Sequence, residues 1–351
     1  MHKVAVQAEH AYDVLIGCTW QEELGTLMKD RSRVGIVVSS SMRSRLDSID
    51  ADGSEIHFFE IPDGEQGKDV AVLESLWNQL GHAGFTRSDL IVAIGGGATT
   101  DIAGFACATW LRGIDWIAIA TTLAGMVDAS IGGKTGMNSP SGKNLIGAFH
   151  SPIAVLADSK WLETLSDRDF AAGLAEVVKC GFIADQEILA LLSGKSLSEV
   201  RSSKALTEEL ILRSVKIKAE VVGEDFREGF AREVLNYGHT MGHAIERHSN
   251  YQLRHGEAVS IGLVYIAELA HLKGVLSQEL VGLHRSILSG LGLPTTYPAS
   301  AWDTLQPFLA LDKKARGRLL RFVGISKIGA TLRLEGIAQS DLLKAYERVS
   351  S

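Results

Sequence analysis

Two histidines four residues apart, His239 and His243 in LNYGHTMGHAIE, fall on one face of a helix. A third, His255, opens the next helical run in RHGEAV. Upstream, AEVVK places Glu176 and Lys179 three residues apart, again on one face. One carboxylate plus imidazoles from separate helices is the donor set of an open catalytic zinc site. Spacing leaves two versions open: His239 and His243 both bind the ion, or only one does. His57, His82, His248, His271 and His284 read instead as satisfied core or surface histidines.

A second cluster runs from Gly95 to His150. It packs GGGATTD, TWLRG, TTLAGMVDASIGGKTGMN and GKNLIGAFH into one stretch. Glycines that admit a close ligand alternate with fixed cations, Arg112, Lys134 and Lys143. Strand, Gly95-Gly96-Gly97, then helix offers free N–H groups to an anion. The pattern is not GxGxxG, so the usual dinucleotide fingerprint is missing. IPDGEQGK, from Ile61 to Lys68, adds a charged turn after an earlier strand. Both turns fall at carboxyl ends of expected strands, where open α/β sheets bind ligands. Lys179, Lys218, Arg232, Lys313 and Lys314 also stand beside glycines or apolar runs, and Asn144 and Asn236 can hydrogen-bond hydroxyls. Lys29, Lys204 and Lys273 read as solvated surface residues. Such cations in an acidic protein point to a polyanionic ligand carrying phosphate and carboxylate.

The elements that must position these groups follow from periodicity. Val34 to Ser39, Glu55 to Ile61, Leu90 to Ile94, Trp116 to Ala120 and Ile153 to Ala157 read as strands. Asp69 to Gly81 and Asp101 to Trp110 read as helices between them, which implies an open, mostly parallel sheet. Beyond Asp158 helical patterns dominate: Phe170 to Lys179, Leu206 to Val222, Arg232 to His248, His255 to Lys273 and Glu279 to Leu291. Pro294 and Pro298 end that series. Leu319 to Val323 and Ala330 to Leu334 read as a hairpin, and Gln339 to Val349 as a closing helix. The boundary is placed near Asp158, giving an α/β domain over 1–158 and a mostly helical one over 159–351.

Composition narrows the class. The 351 residues are 46% hydrophobic with net charge -7, ample for a core and sufficient for two domains. No basic stripe for nucleic acid is present. No apolar run reaches the ~18 residues that span a bilayer, and MHKVAVQAEH is too polar for a secretory signal. Cys18, Cys107 and Cys180 are scattered and odd in number, as expected of reduced thiols in the cytoplasm.

With these residues assembled, the chain resembles the 3-dehydroquinate synthase family of sugar phosphate cyclases. The likeness is densest over Asp63 to Lys68, Gly95 to His150, Gly173 to Ala184, Arg232 to Glu246, His255 to Gly262 and Asp312 to Val323. The resemblance implies an N-terminal Rossmann-like NAD domain and a mostly helical C-terminal metal domain. It puts the metal ligands, for zinc or cobalt, on Glu176, His239 and His255, which makes His243 a substrate contact. It puts NAD contacts on Asp63, Gly64, Glu65, Gln66, Gly67, Lys68, Gly97, Ala98, Thr99, Thr100, Asp101, Thr121, Thr122, Lys134, Lys143, Trp161, Leu162, Glu163 and Thr164. Substrate contacts fall on Arg112, Asp128, Lys134, Asn144, Lys179, Lys218, Arg232, Asn236, His243 and one of Lys313 and Lys314. It further implies a cytoplasmic homodimer acting in the shikimate pathway. Three positions depart from the common pattern: Ala98-Thr99-Thr100, Phe226 after Asp225, and Gly324 in a stretch normally aliphatic.

The family converts 3-deoxy-D-arabino-heptulosonate 7-phosphate into 3-dehydroquinate and phosphate. NAD+ takes a hydride from the C5 carbinol, the ketone acidifies the neighbouring C–H, phosphate leaves, and the hydride returns before aldol closure. The resemblance implies that the metal holds the C4 and C5 oxygens. Lys134, Lys143, Asn144 and Arg112, helped by His243, are expected to grip the phosphate. Lys179, Lys218 and Arg232 are expected on the carboxylate and hydroxyls, and Asp128 to orient a lysine or relay a proton. The leaving phosphate is the expected base. Rival readings are a sister cyclase making an inosose or valiolone, an NAD- and metal-dependent polyol dehydrogenase, and an inactive NAD-binding regulator.

Overall fold

The computed structural model describes residues 1–46, 49, 53–227, 229, 231–315 and 320–351, with the side chains of 310–315 excepted. They form two compact units, residues 1–165 with 218–227, and residues 166–217 with 228–351.

The first unit contains β1 (His2–Gln7), β2 (Ala11–Ile16), α1 (Trp20–Leu27), β3 (Arg33–Ser39), α2 (Ser40–Arg43), β4 (Glu55–Ile61), α3 (Val70–His82), β5 (Leu90–Gly95), α4 (Gly97–Thr109), β6 (Asp115–Ala120), β7 (Lys134–Ser139), β8 (Gly142–Phe149) and β9 (Ala154–Ala157). Seven strands form one sheet in the order β1-β2-β9-β6-β5-β3-β4. All neighbours are parallel except β1 with β2. The expected mostly parallel sheet is therefore present, with an antiparallel edge strand that the sequence reading did not contain. β5 lies centrally and every residue of it is buried, as a strand covered on both faces demands. After β3 the chain adds β4 on one side and β5 on the other, so the strand order reverses there and opens a crevice at the carboxyl ends.

α4 starts at Gly97, four residues before the expected Asp101. The turn is tight enough to launch the helix at once: a Cβ on Gly95 would stand 2.5 Å from Thr99 Oγ1. β7 and β8 pair as an antiparallel hairpin, in a stretch to which periodicity assigns no strand. Phe226 sets its ring edge-on to Phe149 with centroids 5.4 Å apart.

The second unit holds α5 (Asp167–Ile183), α6 (Gln186–Leu192), α7 (Leu197–Ser202), α8 (Lys204–Glu224), α9 (His239–His248), α10 (His255–Leu272), α11 (Gln278–Gly290), α12 (Trp302–Ala315), β10 (Arg321–Lys327), β11 (Ala330–Glu335) and α13 (Gln339–Arg348). α8 is shared, its residues from Lys218 onward belonging to the first unit. The expected single helix from Arg232 to His248 is instead a 3-10 turn, Arg232–Asn236, then α9. Gly238 between them takes φ 80, a left-handed value that ends one element and caps the next. Gly324 pairs with Leu332 inside the β10–β11 ladder, so the hairpin persists through it. Leu319, expected to begin that hairpin, lies outside the described residues.

α10 is apolar on all sides, and Gly256 and every residue from Ala258 to Ala270 are buried, the pattern of a core helix. Its glycines allow backbone-to-backbone packing. A Cβ on Gly256 would lie 1.8 Å from Ala172 O of α5, and one on Gly262 would lie 2.1 Å from Gly238 O. Arg168 of α5 adds a two-pronged bond to Glu257 of α10, at 2.6 and 2.7 Å, and Glu257 also accepts from Arg254 N. These contacts fix the first turn of α10 against α5.

Gly262→Ala should therefore lower stability by about 3 kcal/mol. Gly282→Ala, on α11 with open space around it, should raise it by up to ~1 kcal/mol. Urea melts of both variants check this, and a Gly262→Ala chain as stable as wild type would contradict the packing.

Candidate active site

The packing of α5, α9 and α10 brings Glu176, His239 and His255 together. One donor atom from each lies within 4.8 Å of the others. The two oxygens of Glu176 are divided between partners. Oε2 meets Lys179 Nζ at 2.5 Å, whereas Oε1 faces His239 Nε2 at 3.5 Å and His255 Nε2 at 3.1 Å. Both imidazoles are held at Nδ1: His239 by Tyr237 O at 3.1 Å, His255 by Glu246 Oε2 at 2.9 Å. Such partners fix the tautomer and aim Nε2, the usual outer support of a metal-binding histidine. The donor set, one carboxylate oxygen and two aimed imidazoles with a flank left open, fits a catalytic zinc or cobalt ion.

The electrostatics agree. Burial raises the Glu176 carboxyl, but the Lys179 ammonium overcomes this and holds it well below the ordinary carboxylate range. Burial draws His239 down against the pull of Glu176, leaving a neutral imidazole ready to donate its lone pair. For His255 burial also acts downward, an effect limited by the 40% exposure of its side chain. Hydrogen bonds to Glu176 and Glu246 win and raise it to about 10.

His243 lies one turn along α9, exposed, its ring 5.4 Å from that of His239. It also forms a second possible donor group with Glu246 and His255. Neither group contains both His239 and His243, so among the described residues the donors fit the version in which only one of the two binds. The Glu176 group is the more buried and carries the aimed Nε2 atoms. Glu246 went unnoticed in the sequence, although it follows His239 by seven residues on the same face. Arg232 is buried and Asn236 half-buried in the preceding 3-10 turn.

In the first unit, Lys68 is almost fully buried. Its ammonium donates to Asp101 Oδ2 at 2.5 Å and to Asn144 Oδ1. This ties the Asp63–Lys68 turn to α4 and to β8, where Asn144 sits at φ 55. Burial raises the Asp101 carboxyl and Lys68 opposes it. Glu65 accepts from Asn138 Nδ2 at 2.6 Å and lies 3.6 Å from Lys143 Nζ. Asn138, another residue not singled out from sequence, also accepts from Asn144 N at 3.2 Å. Asp63 accepts from Ser41, which lowers its carboxyl. Gly64, Gln66 and Gly67 complete that turn.

Gly97, Ala98 and Thr99 form the first turn of α4, whose N–H groups are free for an anion. Thr100 is buried there too. Thr121 and Thr122 follow β6; Thr121 N donates to Gly95 O at 2.9 Å, and a Cβ on Gly96 would meet Thr122 at 2.9 Å. No bulkier residue fits this cradle, which suits a pyrophosphate. Asp128 lies in a π-turn, Gly125–Ala129, a form that recurs at functional sites. Its Oδ1 and carbonyl each accept from the buried Lys218 at 2.5 Å.

Other expected residues stand apart from this cluster. Arg112 is exposed at the far end of α4 from Gly97, at φ 65. Lys134 is exposed at the start of β7. Trp161, Leu162, Glu163 and Thr164 form a 3-10 turn, with Trp161 tilted against Trp20. Lys313 and Lys314 lie in α12, but their side chains fall outside the described residues.

Family models for the N-terminal and C-terminal parts of 3-dehydroquinate synthase match residues 58–172 and 173–315. The chain belongs to the 3-dehydroquinate synthase family. The 3-dehydroquinate synthase of Thermobifida fusca is 48% identical over 97% of this chain and 94% of its own length. That of Mycolicibacterium gilvum is 47% identical over 99% and 98%. Among solved structures, 2-epi-5-epi-valiolone synthase from Streptomyces hygroscopicus with NAD+ and Zn2+ bound superposes with a TM-score of 0.90. It is 28% identical and covers 99% of each chain.

Metal affinity of this 3-dehydroquinate synthase family member should depend on pH in a defined way. Glu176 is held ionised and burial disfavours the charged form of His239, so the proton on His255 is the main one an ion must displace. Zinc affinity should rise by about tenfold per pH unit between pH 6 and 8. Glu246→Gln removes one of the two carboxylates that raise His255, so it should flatten that slope. Competition with a chromogenic chelator across the pH range reads both, and an unchanged slope in the variant would refute the assignment.

Proposed function

We propose that the chain converts 3-deoxy-D-arabino-heptulosonate 7-phosphate into 3-dehydroquinate and phosphate, a carbon–oxygen lyase step of the shikimate pathway toward aromatic amino acids. The observation that carries this reading is Glu176 Oε1 facing two imidazoles whose Nδ1 atoms are held, in a chain whose curated relatives are dehydroquinate synthases at nearly half identity.

Glu176, His239 and His255 would hold a divalent ion, which when bound supplies Lewis acidity to the C4 and C5 hydroxyls. The α4 turn with Thr121, Thr122 and the Asp63–Lys68 turn would hold NAD, which when bound supplies a hydride acceptor that is restored within each turnover. Lys179 keeps Glu176 ionised through Oε2, leaving Oε1 as a donor. Lys218 in the first unit and Arg232 in the second are desolvated cations, each suited to a carboxylate or a hydroxyl. Asp128 orients Lys218 through the bond they share. Lys143 and Asn144 take the phosphate, and Lys68 positions Asn144 for it. Among the described residues no helix is long and apolar enough to cross a membrane, and the enzyme acts as a cytoplasmic homodimer. A sister cyclase remains the alternative reading, supported by likeness of fold.

The heptulosonate phosphate should release phosphate with no net NADH signal, and glucose 6-phosphate or sedoheptulose 7-phosphate should not be turned over. Glu176→Ala should reduce release to background while the fold persists by circular dichroism. Turnover of either other sugar phosphate at a comparable rate would move the chain to the inosose or valiolone branch.

A further inference from the structure

The two imidazoles near Glu176 are held by different means. His255 leans on a side chain, Glu246. His239 leans on a backbone carbonyl, that of Tyr237, two residues before it. Its aim is therefore only as firm as the Tyr237–Gly238 turn, and Gly238 is left-handed with no side chain to anchor it. The anchor is the Tyr237 ring, which is fully buried. Its hydroxyl lies 2.8 Å from Nε2 of His284 on α11. His284 Nδ1 is 2.6 Å from Leu280 O. A carbonyl can only accept, so Nδ1 carries the proton, Nε2 is the acceptor, and the tyrosine hydroxyl donates. Burial draws the His284 pKa down to about 4, so the ring stays neutral and keeps that acceptor. The imidazole also stacks on Phe182, with centroids 3.4 Å apart and planes 6° from parallel. Phe182 lies on α5, the helix that carries Glu176. The chain Phe182–His284–Tyr237–His239 thus runs from one metal-ligand helix to the turn before another ligand.

We propose that Tyr237 and His284 are positioning residues for the metal centre: the bond from the hydroxyl to the imidazole fixes the backbone turn whose carbonyl orients His239. This rests on the reading of Glu176, His239 and His255 as metal ligands. A buried histidine of this kind otherwise serves packing alone, and the two roles separate in a double-variant cycle. Tyr237→Phe and His284→Leu each leave one buried polar group without its partner, so each should lower Tm. The double variant removes both partners and should recover most of that loss. Metal affinity should behave differently. Measured with zinc alone against a chelator, it should fall by about tenfold in each single variant and stay low in the double variant. The visible absorption bands of the Co2+-loaded chain should change in all three. His284→Gln, which retains an acceptor, should return both readouts toward wild type.

A double variant with wild-type zinc affinity and cobalt spectrum would overturn this proposal alone and leave the pair as core packing. Equal zinc binding by wild type and His239→Ala would overturn the metal assignment, and this inference with it.

Discussion

Close contact of backbones around α10 is the constraint on which the metal group depends. Imidazole and carboxylate side chains reach only a few ångströms from their own helices. For donors on three elements to come within 4.8 Å, the helices must pack at distances that a Cβ would forbid. Gly256 against Ala172 and Gly262 against Gly238 provide this. The same glycines explain why α10 tolerates helix-weakening residues in a buried element: what is lost in propensity is recovered in the approach of α5 and of the turn before α9.

That approach also sets the charge balance. Glu176 is buried beside Lys179 and two imidazoles, and the largest influence keeping its carboxylate ionised there is Lys179 on its other oxygen. The pair thus leaves one oxygen charged and accessible to the imidazole side. A protonated Glu176 would be a poor donor, and a Glu176 paired through both oxygens would have none to offer. Division of the carboxylate is what leaves a buried ion pair with a donor oxygen that a metal ion could take. A residual proton on His255 is the remaining competitor for the ion.

Much of this was legible in the residues. β5 and its glycines, the carboxyl-end turns, and the Glu176, His239 and His255 segments were read from apolar runs and from spacing. The features that escaped share a physical cause. β1 alternates in burial but only two of its residues are buried, and the β7–β8 hairpin is rich in glycine and polar residues and does not alternate. The break at Gly238 was hidden because the residues around it keep helical spacing; only a left-handed φ reveals it. Glu246 and His284 looked like ordinary polar residues on helix faces. Their roles come from a partner nine residues away in one case and forty-seven in the other, and no local pattern carries that information. Choice between His239 and His243 needed the family likeness as well, since i and i+4 are equivalent by spacing.

The distribution of buried cations bears on the kind of ligand. Lys68, Lys179 and Lys218 are all nearly buried, each against a carboxylate. Buried ion pairs contribute little net stability, because desolvation offsets attraction. Three of them are hard to account for as structural supports. Their effect is to place poorly hydrated ammonium groups, each balanced by its carboxylate, beside the α4 turn, the imidazole group and the π-turn. Away from bulk water each such charge acts more strongly on a nearby anion than a surface lysine could. A polyol substrate is neutral and has no use for this. A phosphorylated sugar acid carries charge at both ends, and fixed, desolvated N–H donors are of use to such a ligand.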